Sequence, residues 1–256
     1  MSRPIALVTG GSRGVGRGIV LELARTHRVA FSCRRDVEAA AHVVGAVEAA
    51  GGEARSLVAD LAEPGAAAGL LAEVEEWGEV SALVGNAGAA SRGLLAAETA
   101  AEEYSRMFQL HALANIELAA AALPSLRRNR GSIVFVSSAV VELLPPRTAP
   151  YAAAKAALEA AAVVMAREER SHGVRINLVA PGLVATDMGD RLAAALNNGG
   201  NASDLDAAAP LGHVCRPEEV ASVVSFLCGP GASYVTGDRI RIDGGGPDNS
   251  MLPGAH

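Results

Sequence analysis

The segment Tyr151-Ala152-Ala153-Ala154-Lys155 sets a phenol and an ammonium at i and i+4, one turn apart on the same face of a helix. A free tyrosine titrates near pH ~10, so it serves acid–base chemistry near neutrality only when a neighbouring positive charge stabilises its phenolate. Lys155 supplies such a charge. A Tyr and a Lys at this spacing also arise by chance, so the meaning of the pair rests on what accompanies it. Thr9-Gly10-Gly11-Ser12-Arg13-Gly14-Val15-Gly16 is a second chemical element. It follows a short apolar run and precedes a helical pattern, where backbone N–H groups and the helix dipole are available to a pyrophosphate. Its glycine spacing is Gly-x-x-x-Gly-x-Gly, which departs from the commoner Gly-x-Gly-x-x-Gly dinucleotide fingerprint.

Folds of this kind that prefer NAD carry an acidic residue at the end of the second strand for the ribose 2′-hydroxyl. Here that stretch reads Phe31-Ser32-Cys33-Arg34-Arg35 and offers no carboxylate. Arg34, with Arg13 from the glycine turn, could make charge-assisted hydrogen bonds to a 2′-phosphate, which points to NADP(H).

The elements that must position these residues alternate. Apolar runs predict strands at 5–8, 29–33, 54–58, 82–85, 132–137 and 175–180. Helical periodicity predicts helices at 15–26, 36–50, 63–76, 102–126 and 151–171. Parallel neighbours need long return connections, so the expected fold is α/β: a single-domain, doubly wound, Rossmann-type parallel sheet with helices on both faces. No Pro- or Ser-rich linker divides the chain, and 1–256 reads as one domain. Residues 183–215 are the irregular region, with Asn197-Asn198-Gly199-Gly200-Asn201 too rich in breakers for a stable helix; a mobile substrate lid is expected there.

Composition narrows the partners. The formal net charge of -6, with scattered Lys and Arg, gives no basic face for nucleic acid. Aromatics make up only 3% of the chain, so the core must come from Ala, Val, Leu and Ile. Cys33, Cys215 and Cys228 are odd in number and widely spaced, indicating neither disulfides nor zinc and fitting a reducing cytoplasm. The N-terminal apolar run is too short for a signal peptide, and no apolar stretch is expected to span a membrane. His27, His42, His172, His213 and His256 form no ligand cluster, so no metal site is expected.

The glycine turn, Asn86-Ala87-Gly88, Ser138, Tyr151, Lys155 and Pro181-Gly182 occur in this order from Ile5 to Gly245. Together they resemble the short-chain dehydrogenase/reductase family, most closely its β-ketoacyl-(acyl carrier protein) reductase and polyketide ketoreductase branch. The resemblance implies reduction of a ketone, on a 3-oxoacyl or polyketide-like substrate, with NADP(H). Ser138 would orient the substrate oxygen, Tyr151 would protonate it, and Lys155 would hold the nicotinamide ribose while depressing the tyrosine pKa. Gly10, Ser12, Arg13, Gly14, Val15, Gly16 and Arg34 would bind the cofactor's phosphates. Asp60 and Leu61 would meet its adenine, Asn86, Ala87 and Gly88 would line the cleft, and Pro181, Gly182, Val184 and Thr186 would hold the carboxamide. No nucleic acid or membrane partner is implied.

Two positions depart from the family pattern. Gly85 stands where a first asparagine is usual. His111 falls where the family has a catalytic asparagine that holds a water beside the lysine. A histidine there could hold the same water or relay the proton itself, with a charge that varies with pH; Asn115, one turn on, is a possible substitute. The same scaffold also serves small-alcohol, sugar and steroid dehydrogenases, and His111 leaves room for an NADP(H)-binding regulator of weak turnover. The resemblance and the small alanines after Tyr151 imply a homotetramer. Residues 142–147 would wall the cleft. Arg127-Arg128-Asn129-Arg130 is the one basic cluster that a carrier protein could use, or else a solvated helix end.

Overall fold

The computed structural model describes residues 3–196, 200–209 and 211–245, with the side chains of 195 and 196 left aside. Its strands are β1 Ile5–Val8, β2 Arg28–Cys33, β3 Glu53–Val58, β4 Val80–Gly85, β5 Ser132–Val136, β6 Arg175–Pro181 and β7 Arg239–Ile242. They form one sheet in the order β3-β2-β1-β4-β5-β6-β7, and every pair is parallel. The inner strands β1, β4 and β5 are apolar almost throughout because helices cover both of their faces.

The helices are α1 Gly14–Leu23, α2 Val37–Ala49, α3 Ala66–Glu75, α4 Ala101–Phe108, α5 Ala114–Asn129, α6 Val140–Leu143, α7 Ala149–Glu169, α8 Asp187–Leu196 and α9 Pro217–Cys228. One core cluster joins the sheet to α3, α5 and α7, through residues such as Leu70, Leu118 and Leu158. The other joins the opposite face to α1, α2 and α9, through Ile19, Val43 and Val224. The order in which successive strands are added reverses at the β1–β4 boundary, and at such a switch point the loops leaving the strand ends part and open a cleft.

Four features differ from the sequence expectation or refine it. The helix expected at 102–126 is a single rod in two α-helical parts, α4 and α5, joined by a π-helical turn at Gln109–Leu113. One residue too many for an α-turn is accommodated there, and such turns commonly sit at functional sites. Residues 183–215 are not irregular throughout. They contain α8 and a 3₁₀ helix at Ala202–Ala208, held by reciprocal bonds between Asn201 and Asp204 and by a small core of Ala193, Ala202, Ala209 and Val214. Of the breaker run 197–201, Asn197, Asn198 and Gly199 lie outside the described residues.

The expectation that no stretch is long and apolar enough to span a membrane also needs correction. By length and composition, Ala149–His172 passes that test. In the fold this is α7 and its following turn, with Leu158, Ala162 and Ala166 packed in the core. Finally, β7 and α9 complete the alternation beyond residue 180, where the sequence indicated only that it continues.

The strand that delivers Ser138 depends on close packing at its end. Phe135 is fully buried, and its ring lies where any side chain at its β4 partner Gly85 would have to go. Phe135→Ala should therefore cost about 3–5 kcal/mol of unfolding free energy. A urea titration followed by circular dichroism will show this as a lower midpoint at unchanged slope.

Candidate active site

The glycine turn is held from two sides. Thr9, fully buried, accepts hydrogen bonds at Oγ1 from the backbone N–H groups of Asn86 (2.8 Å) and Ala87 (2.9 Å). The Asn86 Nδ2 donates back to the carbonyls of Thr9 at 2.9 Å and Gly10 at 3.2 Å. Ser32 of β2 ties down the other side, its Oγ accepting from Gly10 N. These bonds leave no room for side chains: a Cβ at Gly16 would lie 2.0 Å from the Gly10 oxygen, and Gly10 itself has φ +67°.

The result is a cradle at the start of α1. Arg13, its N-cap, is extended and makes no side-chain cap bond, so the first N–H groups of the helix have no side-chain acceptor. Ser12 is buried beneath the turn, and Val15 packs into the core behind it. The guanidinium groups of Arg13 and Arg34 are exposed and have no hydrogen-bond or ion-pair partner among the described residues. An uncapped helix start, a turn closed to side chains and two free cations suit a dinucleotide carrying an additional phosphate.

The remaining cofactor candidates surround the same edge. Asp60 is partly buried after β3 and its Oδ1 accepts from Ala62 N at 3.1 Å, while Leu61 is buried beside it. Gly88 approaches His111 so closely that a Cβ would lie 2.6 Å from the imidazole Cε1. After β6, Pro181 is still in the strand and Gly182 N donates to Ile242 O of β7. Val184 bridges to Cys215, and the Thr186 hydroxyl accepts from Gly189 N in the first turn of α8. All of these are brought to the C-terminal end of the sheet.

Tyr151 and Lys155 lie in the first turns of α7. Buried Lys155 donates from Nζ to the Val136 carbonyl at 2.6 Å, and Nζ is 5.8 Å from the centroid of the Tyr151 ring. Burial pulls the Lys155 ammonium down to about 8, and the carboxylate of Glu159 opposes that fall. Lys155 is the only lysine in the chain. Burial pushes the Tyr151 phenol above its usual range, while a hydrogen bond with the Ser138 hydroxyl pulls the other way. In this structure burial outweighs the help the phenol receives from its neighbours. Desolvation dominates, and the partner that favours the phenolate is Ser138.

His111 sits in the π-helical turn with its ring edge-to-face against Tyr151, the centroids 4.9 Å apart and the planes at 88°. Its Nε2 lies 2.8 Å from Ala89 O and 3.3 Å from Ala89 N; the carbonyl contact is the shorter and can be a bond only if Nε2 carries the proton, so we assign the proton to Nε2. Nδ1 is buried and has no partner. Burial first, then the charge of Lys155, lowers the imidazole to about 3. At that value the ring stays neutral through the neutral range, which leaves both expected roles, holding a water and relaying a proton, to a neutral imidazole. Asn115 is anchored to the same turn, its Nδ2 donating to His111 O at 3.0 Å. Its Oδ1 lies where a side chain at Gly85 would go, which explains why glycine occupies that departure from the family pattern.

A charged cluster behind Ser138 was not foreseen as functional. Glu159, one turn beyond Lys155, accepts from Ser137 Oγ and from Arg239 Nε at 2.7 Å. Arg239 also donates to Ser138 O at 3.1 Å and to Glu142 Oε1 at 2.7 Å. The stripe Tyr151, Lys155, Glu159 at i, i+4, i+8 was a sequence signal for Glu159. Arg239, on β7, had none. Among the described residues no group of His, Cys, Asp and Glu is arranged to hold a metal ion.

The comparisons with known proteins agree with this geometry. Residues 10–246 match a family model described as enoyl-(acyl carrier protein) reductase. An uncharacterised oxidoreductase of Methylorubrum extorquens is 35% identical over 94% of this chain and 96% of its own. A 3-oxoacyl-[acyl-carrier-protein] reductase of Synechocystis is 33% identical over 96% of this chain and 97% of its own. The crystal structure of the angucycline C-6 ketoreductase LanV with bound NADP superposes with a TM-score of 0.86 at 31% identity, covering 95% of each chain. This chain belongs to the short-chain dehydrogenase/reductase family and is an oxidoreductase.

The bonding of His111 makes a spectroscopic prediction. In ¹H–¹⁵N long-range correlation spectra, the signal lost in His111→Asn should show a neutral, Nε2-protonated ring that does not titrate between pH 5 and 8. A midpoint inside that range contradicts the assignment.

Proposed function

We propose that this protein is an NADPH-dependent ketoreductase that converts a ketone of a 3-oxoacyl or polyketide-like substrate to a secondary alcohol. The observation that carries this reading is a buried tyrosine, raised above its ordinary pKa and hydrogen-bonded to a serine, beside the only lysine of the chain. A phenol protonated at neutral pH is in the form a proton donor needs, and the Ser138 hydroxyl and the Lys155 ammonium beside it are the groups that would stabilise the phenolate it leaves, which favours the reductive direction.

Bound NADPH would supply the hydride. Ser138 would donate a hydrogen bond to the substrate carbonyl oxygen and fix its orientation. Tyr151 would release its proton to that oxygen as negative charge develops there. Lys155, still largely an ammonium at neutral pH, would stabilise the phenolate left behind and hold the ribose hydroxyls. His111 would remain neutral, keep the 89 carbonyl in place and offer Nδ1 as acceptor to a water or ligand hydroxyl. Gly10, Ser12, Gly14, Val15 and Gly16 would cradle the pyrophosphate. Asp60 and Leu61 would border the adenine, Asn86, Ala87 and Gly88 would floor the cleft, and Pro181, Gly182, Val184 and Thr186 would receive the carboxamide. Residues 183–215 would act as the lid.

Two of the three arginines available to a carrier protein are already paired. Arg127 forms a two-bond pair with Glu169, and Arg128 bonds Glu79 at 2.7 Å. This supports a small-molecule ketone over a carrier-bound one. We assign the protein to the cytoplasm and to a homotetramer. In support of the tetramer, Tyr104, Phe108, Pro150 and Ala153 line an apolar groove between α4 and α7, the face that a second copy would cover.

Tyr151→Phe should lower NADPH-dependent ketone reduction about 10²–10⁴-fold with little change in NADPH affinity. Assays on acetoacetyl thioesters, decalones and simple sugars, with cofactor binding followed by fluorescence, test this. An unaltered rate would overturn the assignment. Arg34→Ser should raise the KM for NADPH about 10-fold or more and leave NADH unaffected, since a charge-assisted bond is worth ~1.5–3 kcal/mol. A cofactor preference unmoved by that substitution removes Arg34 from the 2′-phosphate site.

A further inference from the structure

The proposed reaction accounts for Ser138, Tyr151 and Lys155 but not for the charges behind them. The end of β5 is stapled to α7 at two successive residues. Val136 accepts from Lys155, and the Ser137 hydroxyl donates to Glu159 one turn on. Arg239 reaches across from β7 and donates Nε to the same Glu159 Oε1 at 2.7 Å, Nη2 to Ser138 O at 3.1 Å and Nη1 to Glu142 of α6 at 2.7 Å. Glu142 is shared in turn with Arg241, whose Nη1 lies 3.0 Å from its Oε2.

The side chains of Arg239 and Glu159 are 17% and 15% exposed. Ions so far withdrawn from water are weakly screened and act on one another, and on neighbours, more strongly than surface pairs do. Two functions follow from the geometry. The guanidinium fork fixes the backbone carbonyl of the residue whose hydroxyl meets the substrate. It also neutralises a carboxylate that would otherwise act at full strength on the ammonium one turn away. Neither residue is placed to touch substrate.

We propose that Arg239 and Glu159 are a counterpoised pair of positioning residues, which clamp the Ser138 backbone and set the balance of charge around Lys155. The inference rests on the ketoreductase reading for its catalytic meaning, but its electrostatic part stands without it. The other groups around Lys155 enter the balance with known sign. On α7 itself there is only the Tyr151 phenol. On the π-helical turn His111 is neutral at working pH. On α4 Arg106 is compensated by Glu103, to which it donates two bonds. On α6 and β7 Glu142 lies between Arg239 and Arg241. Removing the carboxylate of Glu159 therefore leaves an excess of positive charge near the ammonium. Removing the guanidinium of Arg239 leaves an excess of negative charge.

Because the chain has one lysine, ¹³C-lysine labelling of the full-length protein gives a single side-chain signal, and its titration reads Lys155 directly without any substrate. The wild-type midpoint should lie near 8. Glu159→Gln should move it down by about 0.5 unit or more, Arg239→Gln should move it up by a similar amount, and the double variant should return toward wild type. Arg239→Lys, which keeps the charge and loses the fork, adds a second lysine signal that comparison with wild type identifies; the Lys155 midpoint should stay near wild type while kcat for ketone reduction falls more than KM changes. If either Gln variant fails to fold, Glu142→Gln carries the same test and should shift the midpoint down.

Shifts of the same sign, or none, in Glu159→Gln and Arg239→Gln would overturn the proposal. An unchanged kcat in Arg239→Lys would remove the clamp on Ser138. A wild type with the expected titrations but no turnover on any ketone would instead count against the ketoreductase reading and leave the charge balance standing.

Discussion

An ammonium buried between a helix and a strand end organises the reacting side of this molecule. Taking Lys155 out of water is costly, and the fold compensates with the Val136 carbonyl at 2.6 Å and a carboxylate one turn away. That bond locks the first turns of α7 to the end of β5. Tyr151 is held on one and Ser138 lies just beyond the other, so their hydroxyls meet because the lysine is anchored. The same burial weakens the ammonium's hold on its proton and strengthens the phenol's, so release of the phenol's proton would depend on the neighbouring hydroxyl and ammonium to stabilise the charge left behind.

The cofactor side of the cleft is built on the opposite principle, with backbone where the other uses side chains. Thr9 and Asn86 exchange bonds between β1 and β4 at the point where the strand order reverses. The glycine turn is thereby pinned at the start of α1, whose first N–H groups have no side-chain acceptor. Side chains are excluded at Gly16 by the nearness of the Gly10 carbonyl. The two halves meet at Gly88, which admits the His111 ring, and through it the π-helical turn, against the loop leaving β4. An asparagine in the family pattern and a histidine here can occupy one position because the extra residue of that turn, and not a particular side chain, brings the helix to the cleft.

Much of this was legible in the chain itself, and for local reasons. Strands buried on both faces read as unbroken apolar runs, helices as 3.6-residue stripes, and the Tyr–Lys spacing as one helical turn; each depends only on neighbours in sequence. The free guanidinium groups of Arg13 and Arg34 stand where their positions after β1 and β2 implied. The helical character of 187–196 was harder to see, because its stability comes partly from Ala202, Ala209 and Val214 packing against it from later in the chain. The apolar length of α7 likewise took its meaning from the sheet beneath it.

By itself, then, the sequence determined the alternating parallel sheet, the glycine turn and the setting of Tyr151 and Lys155 one helical turn apart, since these follow from periodicity and short spacings, whereas Ser138 was indicated by the family resemblance. Only the tertiary structure decided the charge states and the supporting cast. Desolvation sets the direction in which Tyr151, Lys155 and His111 titrate, and burial is a property of the packed whole. Arg239 reaches Ser138 and Glu159 from the last strand of the sheet, a meeting that exists only because β7 lies beside β6.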